Sequence, residues 1–316
     1  MPRPATPLPP EWMSDGFRVH EAHLRGIPPG RMSGRDLVRP FNEVRMADAP
    51  RGPRQLAFAY ALRQAPDQVM SHTTALLLWG APLPRRIEEQ QALHVSSIGP
   101  ARPRTNHTIP HRLYPHRTPV TMLGDLHITT PAVSWVMSAP LLALDELVAA
   151  GDYLVTGTRP FDGAPPLTTI AELAATVAAR PGDRGIRRAR EALDLVRYGP
   201  LSSRETGARL MFMRAGLPEP ELNYTVQHPA GSGPVAMIDL AYPEFREAIE
   251  YESLLHLSPE KFRRDIRKVQ QLAAIGWETH RLTADDVDAR LRTPASRAAA
   301  ARIRASLRAR GWRPDR

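Results

Sequence analysis

Between Ser202 and Thr283 the chain carries six periodic segments in the order helix, three strands, helix, strand. SSRETGARLMFMRAGLPEP reads as a helix with a Ser cap, ended by Gly216 and Pro218. ELNYTVQH, PVAMIDLAY and EAIEYE read as strands. GSG turns the first into the second, and the turn-like YPEF makes a hairpin of the second and third. SPEKFRRDIRKVQQLAAIG reads as a helix capped by Ser258 and ended by Gly276, followed by WETHRLT as a last strand. This order sets an α/β core over residues 200–290.

The acids of that segment are unevenly placed. Asp239 interrupts an apolar strand, where Asp is disfavoured. Glu250 and Glu252 flank Tyr251, and strand alternation puts both on one face. Two like charges on one face are unfavourable unless solvated or cation-bound. The residue count across the hairpin lets Asp239 and Glu250 approach one point. Two hard oxygen donors there make a magnesium site, with manganese as a substitute, completed by water and substrate phosphate. Such an ion activates water and stabilises the departing oxygen of a phosphodiester. Glu205 lies in the first turn of its helix, where the dipole alone explains an acid as well as a metal role does. His256, six residues past Glu250, is a candidate base or phosphate-orienting group, with a structural role as the alternative. On the following helix Arg263, Arg267, Gln270 and Gln271 share neighbouring faces. If that side meets the carboxylates, Arg267 or Lys268 steadies the scissile phosphate; otherwise it is a solvated face.

Charge is divided along the chain in a way that suits a polyanion. Residues 1–199 carry 23 basic and 18 acidic groups, residues 200–290 carry 11 and 14, and residues 291–316 carry 8 and 1. The acidic stretch holds the candidate site, and its basic flanks are placed to hold DNA across it. Arg297, Arg304 and Arg308 of the tail are the candidate contacts, with Arg267 and Lys268. With 0 cysteines, disulfides and thiolate metal sites are excluded and a cytoplasmic location is allowed. No apolar run reaches membrane-spanning length, and the first residues lack an apolar signal core.

Residues 1–16 are Pro-rich and read as a poorly ordered tail. In residues 17–46, Ser33 is placed to cap a short helix over GRDLV, with NEVRM as a following strand, a winged-helix fragment. Helices are expected over 54–66, over 71–84 with Ser71 as cap, over 131–137 and over 141–155. Strands are expected over 92–98 and 111–117. Thr168 or Thr169 caps a helix over IAELAATVAAR, and GIRRAREALDLVRYG forms the next. The expected N-terminal domain is therefore mainly α and winged-helix-containing, spans 17–199, and closes at Gly199-Pro200. The Ala- and Arg-rich tail, 291–316, reads as a separate helix.

SSRETGARLMFMRAGLPEPELNYTV, MIDLAYPEFREAIEYES and RDIRKVQQLAAIGWETHRLT, with the His256 spacing, resemble the very-short-patch-repair-type branch of the PD-(D/E)XK endonucleases. The resemblance implies a restriction-endonuclease-like core in which Asp239 and Glu250 bind magnesium and Glu205 is the upstream glutamate. That superfamily carries a lysine two positions after the second acid, where this chain has Glu252. GRDLVRPFNEVRM, VMSHTTALLLWGAPLP and ITTPAVSWVMSAPLLALDELVAAGDYLV resemble the winged-helix region of actinobacterial proteins related to abortive-infection antitoxins. Two functions follow from these resemblances: a metal-dependent DNA endonuclease, or a catalytically inactive DNA-binding regulator of the type IV antitoxin class.

Overall fold

The computed structural model describes residues 7–99, 102–103, 105–114, 118–158, 165–231, 233–252 and 259–314. In chain order the helices are α1 (Pro10–Asp15), α2 (Val19–Leu24), α3 (Pro53–Ala61), α4 (His72–Leu78), α5 (Arg85–Glu88), α6 (Pro131–Ser138), α7 (Leu144–Thr156), α8 (Ile170–Ala178), α9 (Ile186–Leu195), α10 (Ser203–Arg214), α11 (Pro259–Ala274) and α12 (Pro294–Ala309). The chain divides into two compact units. One comprises Met1–Ala150 and Thr168–Asp194, the other Gly151–Leu167 and Leu195–Arg316. The division near residue 194 thus differs from a single boundary at 199, because residues 151–167 belong with the second unit.

The first unit is mixed α/β rather than mainly α. Strands β1 (Phe17–Arg18) and β2 (Val44–Arg45) pair antiparallel, with α2 between them in sequence. Trp12 stacks on Phe17 at 4.5 Å between ring centroids, over a small core that includes Val19, Ala22 and Met32. The expected helix over GRDLV does not form. A 3-10 turn occupies Pro29–Ser33 instead, and Val38 bridges to Met46. Prolines at 28 and 29 favour that earlier turn by fixing φ.

The larger element of this unit is a five-stranded sheet of β3 (Gln68–Met70), β4 (Leu93–Ser97), β5 (Thr108–Arg112), β6 (Val120–Leu123) and β7 (Leu126–Thr129). Its order is β5-β4-β3-β7-β6. β4–β5 and β3–β7 are parallel, whereas β3–β4 and β6–β7 are antiparallel. β6 and β7 form a hairpin about Gly124-Asp125, with Gly124 at φ +57°, a conformation that favours glycine. Helices α3 and α4 bury Leu56, Tyr60, Ala75 and Leu78 against Met70, Leu93, Val95 and Ile128. Ser71 stands at the N-cap position of α4, but its hydroxyl meets His72 Nδ1 and Ser96 Oγ rather than a helix N–H. Thr169 caps α8 with a reciprocal Glu172 capping box.

The second unit is a four-stranded mixed sheet of β8 (Glu221–Gln227), β9 (Pro234–Tyr242), β10 (Glu247–Tyr251) and β11 (Glu278–Leu282), in the order β11-β10-β9-β8. β8–β9 and β9–β10 are antiparallel; β10–β11 are parallel, with α11 between them in sequence. One core joins α10 and α12 to the sheet through Met211, Phe212, Leu240, Ile249, Ile303 and Leu307. The other includes Val226, Ala241, Ala248, Leu272 and Trp277. Among the described residues no helix is long and apolar enough to cross a membrane.

The tail helix therefore belongs to the fold of this unit and is not a separate appendage. Thr293 caps α12 by accepting from the Ser296 N–H, Pro294 supplies the first turn, and Ala299, Ala300, Ile303 and Leu307 are buried. Spacings of three and four residues put these side chains on one face. Ile303 is fully buried, so Ile303→Ala is expected to lower unfolding free energy by about 2–5 kcal/mol. Arg308→Ala, on the exposed face, is expected to change it by less than about 0.5 kcal/mol. Urea denaturation of both variants checks the contrast.

Candidate active site

The β9–β10 ladder pairs Tyr242 with Glu247, Ala241 with Ala248 and Leu240 with Ile249. The next step of that register sets Asp239 opposite Glu250. There Asp239 Oδ2 accepts the backbone N–H of Tyr251 at 2.9 Å. The carboxylate takes the place of a ladder acceptor and anchors the end of the hairpin. β11 adds its own side chains through the parallel pairing, with Thr279 beside Ala248 and Arg281 beside Glu250. α11 completes the walls of a cavity of about 260 Å³ lined by Asp239, Glu250, Glu252, Asp265, Lys268 and Arg281, among others.

Lys268 reaches Glu250, with Nζ 2.7 Å from Oε1. The two form a half-buried ion pair, and the ammonium favours the ionised carboxylate. Burial pushes Glu250 up to about 7. The charges of Asp239 and Glu252 add to the rise and Lys268 opposes it. Glu252 pairs with Arg281 at 3.2 Å. Glu250 of β10 and Glu252 just past its end thus each have a cation from a neighbouring element.

Glu205 has another role. Its Oε2 accepts the Leu201 N–H at 2.8 Å and its Oε1 accepts the Ser202 hydroxyl at 2.7 Å, while Ser202 Oγ accepts the Glu205 N–H. This is the N-terminal cap of α10. Burial raises Glu205 to about 7, the Leu201 N–H opposes that, and the Asp239 charge adds to it. Asp239 therefore acts electrostatically on both Glu205 and Glu250. Among the described residues, however, the three acids do not bring ligand oxygens within 4.8 Å of one another. Glu205, expected as a third metal ligand, has both oxygens accepting from its own helix start, which gives it a capping role in this structure.

The remaining expected residues are scattered. His256 and Ser258 lie outside the described residues. Arg267 is exposed on α11, next to the inward-turned Lys268. Arg308 is exposed on α12. Arg297 is exposed but donates to the carbonyls of Leu291 and Arg292. Arg304 is half-buried, and its guanidinium donates to the Ala215 carbonyl at the end of α10. Arg304, expected as a DNA contact, is engaged as a helix-terminus ligand, a use that favours cations. Thr279 and Arg281 escaped the sequence reading. The parallel register that places them beside β10 has no local signature.

These observations define a mixed α/β protein with an acid- and lysine-lined cavity at the ends of two antiparallel strands. The chain is similar to two uncharacterised proteins of Mycobacterium tuberculosis, from strains CDC 1551 and H37Rv, each 38% identical over 118 residues. The match covers 37% of this chain and 43% of either relative, so the chain spans less than half the length of the relatives it matches. No family model matches the chain, and no solved structure matches it significantly.

Glu250 holds a proton more tightly in the fold, near 7, than in the unfolded chain, near 4.5. Between those values the native state binds more protons, so its contribution to stability falls as pH rises. Glu250→Gln removes that ionisation. Relative to wild type, the variant is expected to gain in Tm as pH goes from 5 to 8, as followed by circular dichroism melts. A Tm difference independent of pH would contradict the raised carboxyl.

Proposed function

We propose that the second unit is a metal-dependent nuclease domain that hydrolyses phosphodiester bonds of DNA, within a cytoplasmic protein. The observation that carries this reading is the position of Asp239 and Glu250 at facing points of β9 and β10, with Lys268 of α11 at 2.7 Å from Glu250. The donor set fits magnesium or manganese. It is all oxygen, and the half-buried Glu250 carboxylate, its pKa held up by burial and by the Asp239 charge, sits where a positive charge is favoured, as its 2.7 Å approach to the Lys268 ammonium shows. Asp239 and Glu250 are the residues that would hold the ion. When bound, it would supply Lewis-acid stabilisation of phosphoryl charge and lower the pKa of a nucleophilic water.

The chain's own groups have separable tasks. Lys268 supplies, from the helix, the ammonium that the resemblance places on the strand at position 252. An ammonium at this depth stabilises negative charge as it develops on a phosphoryl oxygen. Arg281 neutralises Glu252, so that a third carboxylate does not repel the phosphate. The exposed Arg263, Arg264 and Arg267 of α11 lie beside the cavity's Lys268 in sequence and give the backbone of a duplex a cationic edge.

One observation favours the non-catalytic regulator reading. Glu250 and Glu252 are each already paired with a cation of the chain itself, and a self-neutralised pair of acids needs no ion to be stable.

Nicking of supercoiled plasmid separates the two. The full-length protein is expected to nick with magnesium or manganese and not with chelator. Asp239→Ala and Glu250→Ala are each expected to lower the rate by about 100-fold or more, the scale of losing one charge-stabilising group. Lys268→Ala is expected to fall with them, whereas Glu252→Ala keeps most of the rate. Wild-type cleavage no faster than that of Asp239→Ala, together with salt-sensitive DNA binding, would put the regulator first.

A further inference from the structure

The first unit brings together three histidines that are distant in the chain. His72 opens α4, His94 lies on β4 and His111 on β5. β4 and β5 pair in parallel with Ser96 opposite His111, so His94, two residues before Ser96, shares a face with His111. The chain leaves β3 at Met70 and enters α4 at once, which sets the third ring against the other two. His72 and His111 stack with centroids 3.8 Å apart, and His94 lies 5.3 and 5.1 Å from them. One nitrogen of each ring lies within 4.8 Å of the other two. His72 has φ +52°, a left-handed backbone uncommon outside glycine. Such strain persists where the surrounding structure needs the side chain in one place.

The hydrogen bonds leave lone pairs available. His72 Nδ1 lies 2.9 Å from Ser71 Oγ, which accepts from Ser96 Oγ at 2.7 Å and faces the His94 carbonyl at 3.4 Å. If His72 Nδ1–H donates to Ser71, Nε2 carries the lone pair, the arrangement in which a second hydrogen bond orients a metal-bound imidazole. His94 Nδ1 and His111 Nε2 are 2.8 Å apart, with one proton shared between them. Moving that proton to the far nitrogen of its own ring turns two lone pairs toward one point, with no net release. Burial and the neighbouring imidazoles hold His72 down to about 2 and His94 to about 4, so both rings are neutral at pH 7.

We propose that His72, His94 and His111 form a site for one divalent cation of the zinc class. Tetrahedral zinc with ligands near 2.0–2.1 Å sets nitrogens about 3.3 Å apart, so the 2.8 Å pair opens by about half an ångström and the His72 ring, now stacked on His111, turns to bring its nitrogen to the same point. Three neutral imidazoles select zinc, cobalt or copper over magnesium, which prefers oxygen. His72 and His111 also line a cavity of about 440 Å³, shared with Arg112, Thr118, Arg180 and Arg184. The fourth position opens to that cavity, whose polar wall of Arg112, Arg184 and the Arg180–Asp183 pair suits water as the remaining ligand. This site is independent of the carboxylates and stands or falls without the nuclease reading.

The test uses full-length protein stripped with chelator and reloaded with zinc or cobalt(II) alone. Wild type is expected to retain about one zinc per chain after desalting. Its cobalt form is expected to show the intense visible bands of four-coordinate cobalt, and X-ray absorption to show three nitrogens. His94→Gln and His111→Gln, with fold checked by circular dichroism, are each expected to weaken binding by more than about 100-fold, since outer-shell losses alone reach that. The Asp239→Ala, Glu250→Ala double variant is expected to bind as wild type. No retained zinc, a pale octahedral cobalt spectrum, or loss of binding in the carboxylate variant would each overturn the proposal. The wild-type spectrum decides even if a histidine variant fails to fold.

Discussion

The second unit is organised around a fully buried guanidinium. Arg209 of α10 is wholly buried, and so is its partner Asp152 near the end of α7, at 3.1 Å. Arg209 also meets Glu219 at 2.8 Å and the Leu195 carbonyl at 2.7 Å. Asp152 accepts in addition from the Arg197 N–H and the Thr206 hydroxyl. One charge therefore fixes three chain segments against α10: the end of α7, the stretch at 195–197 and Glu219. Removing one partner of such a pair leaves the other stranded, at a cost of about 3–5 kcal/mol. This network explains why residues 151–167 belong with the C-terminal unit although the connection looks like a link between domains. Burial is severe enough to raise Asp152 to about 6 despite the Arg209 charge.

The placement of α10 has consequences for the acids. Glu205 caps that helix and feels Asp239, which anchors the β9–β10 hairpin by accepting the Tyr251 N–H. Glu250 feels Asp239 as well, and Lys268 of α11 compensates it. Like charges held together in a half-buried place are unfavourable without a cation. The fold answers with Lys268 and Arg281, and a metal ion would answer more strongly. The nuclease and regulator readings differ only in which cation does the work.

The first unit concentrates imidazoles where the second concentrates carboxylates. Its five-stranded sheet sets histidines on two parallel strands beside the start of α4. Both clusters arise at the same kind of place, where neighbouring strands align side chains on one face beside a helix. They differ in donor hardness, and so in the cations they suit.

The sequence by itself determined the order of elements in residues 203–282, a threonine cap at 168 or 169 and the hairpin that carries Asp239 and Glu250. Those features are written in local periodicity, caps and breakers. It also placed Lys268 on the helix after that hairpin. The tertiary structure alone decided that Lys268 turns inward while Arg267 faces solvent, and that Arg281 lies beside Glu250. It also committed Glu205 to its own cap and drew α12 into the core. The sheet of the first unit was illegible as a sheet. β3 has three residues, its parallel partner β7 lies more than 50 residues away, and no local pattern records that pairing. The same holds for His72, His94 and His111. Periodicity fixes which face a side chain takes, but long-range pairing and helix docking decide what that face meets.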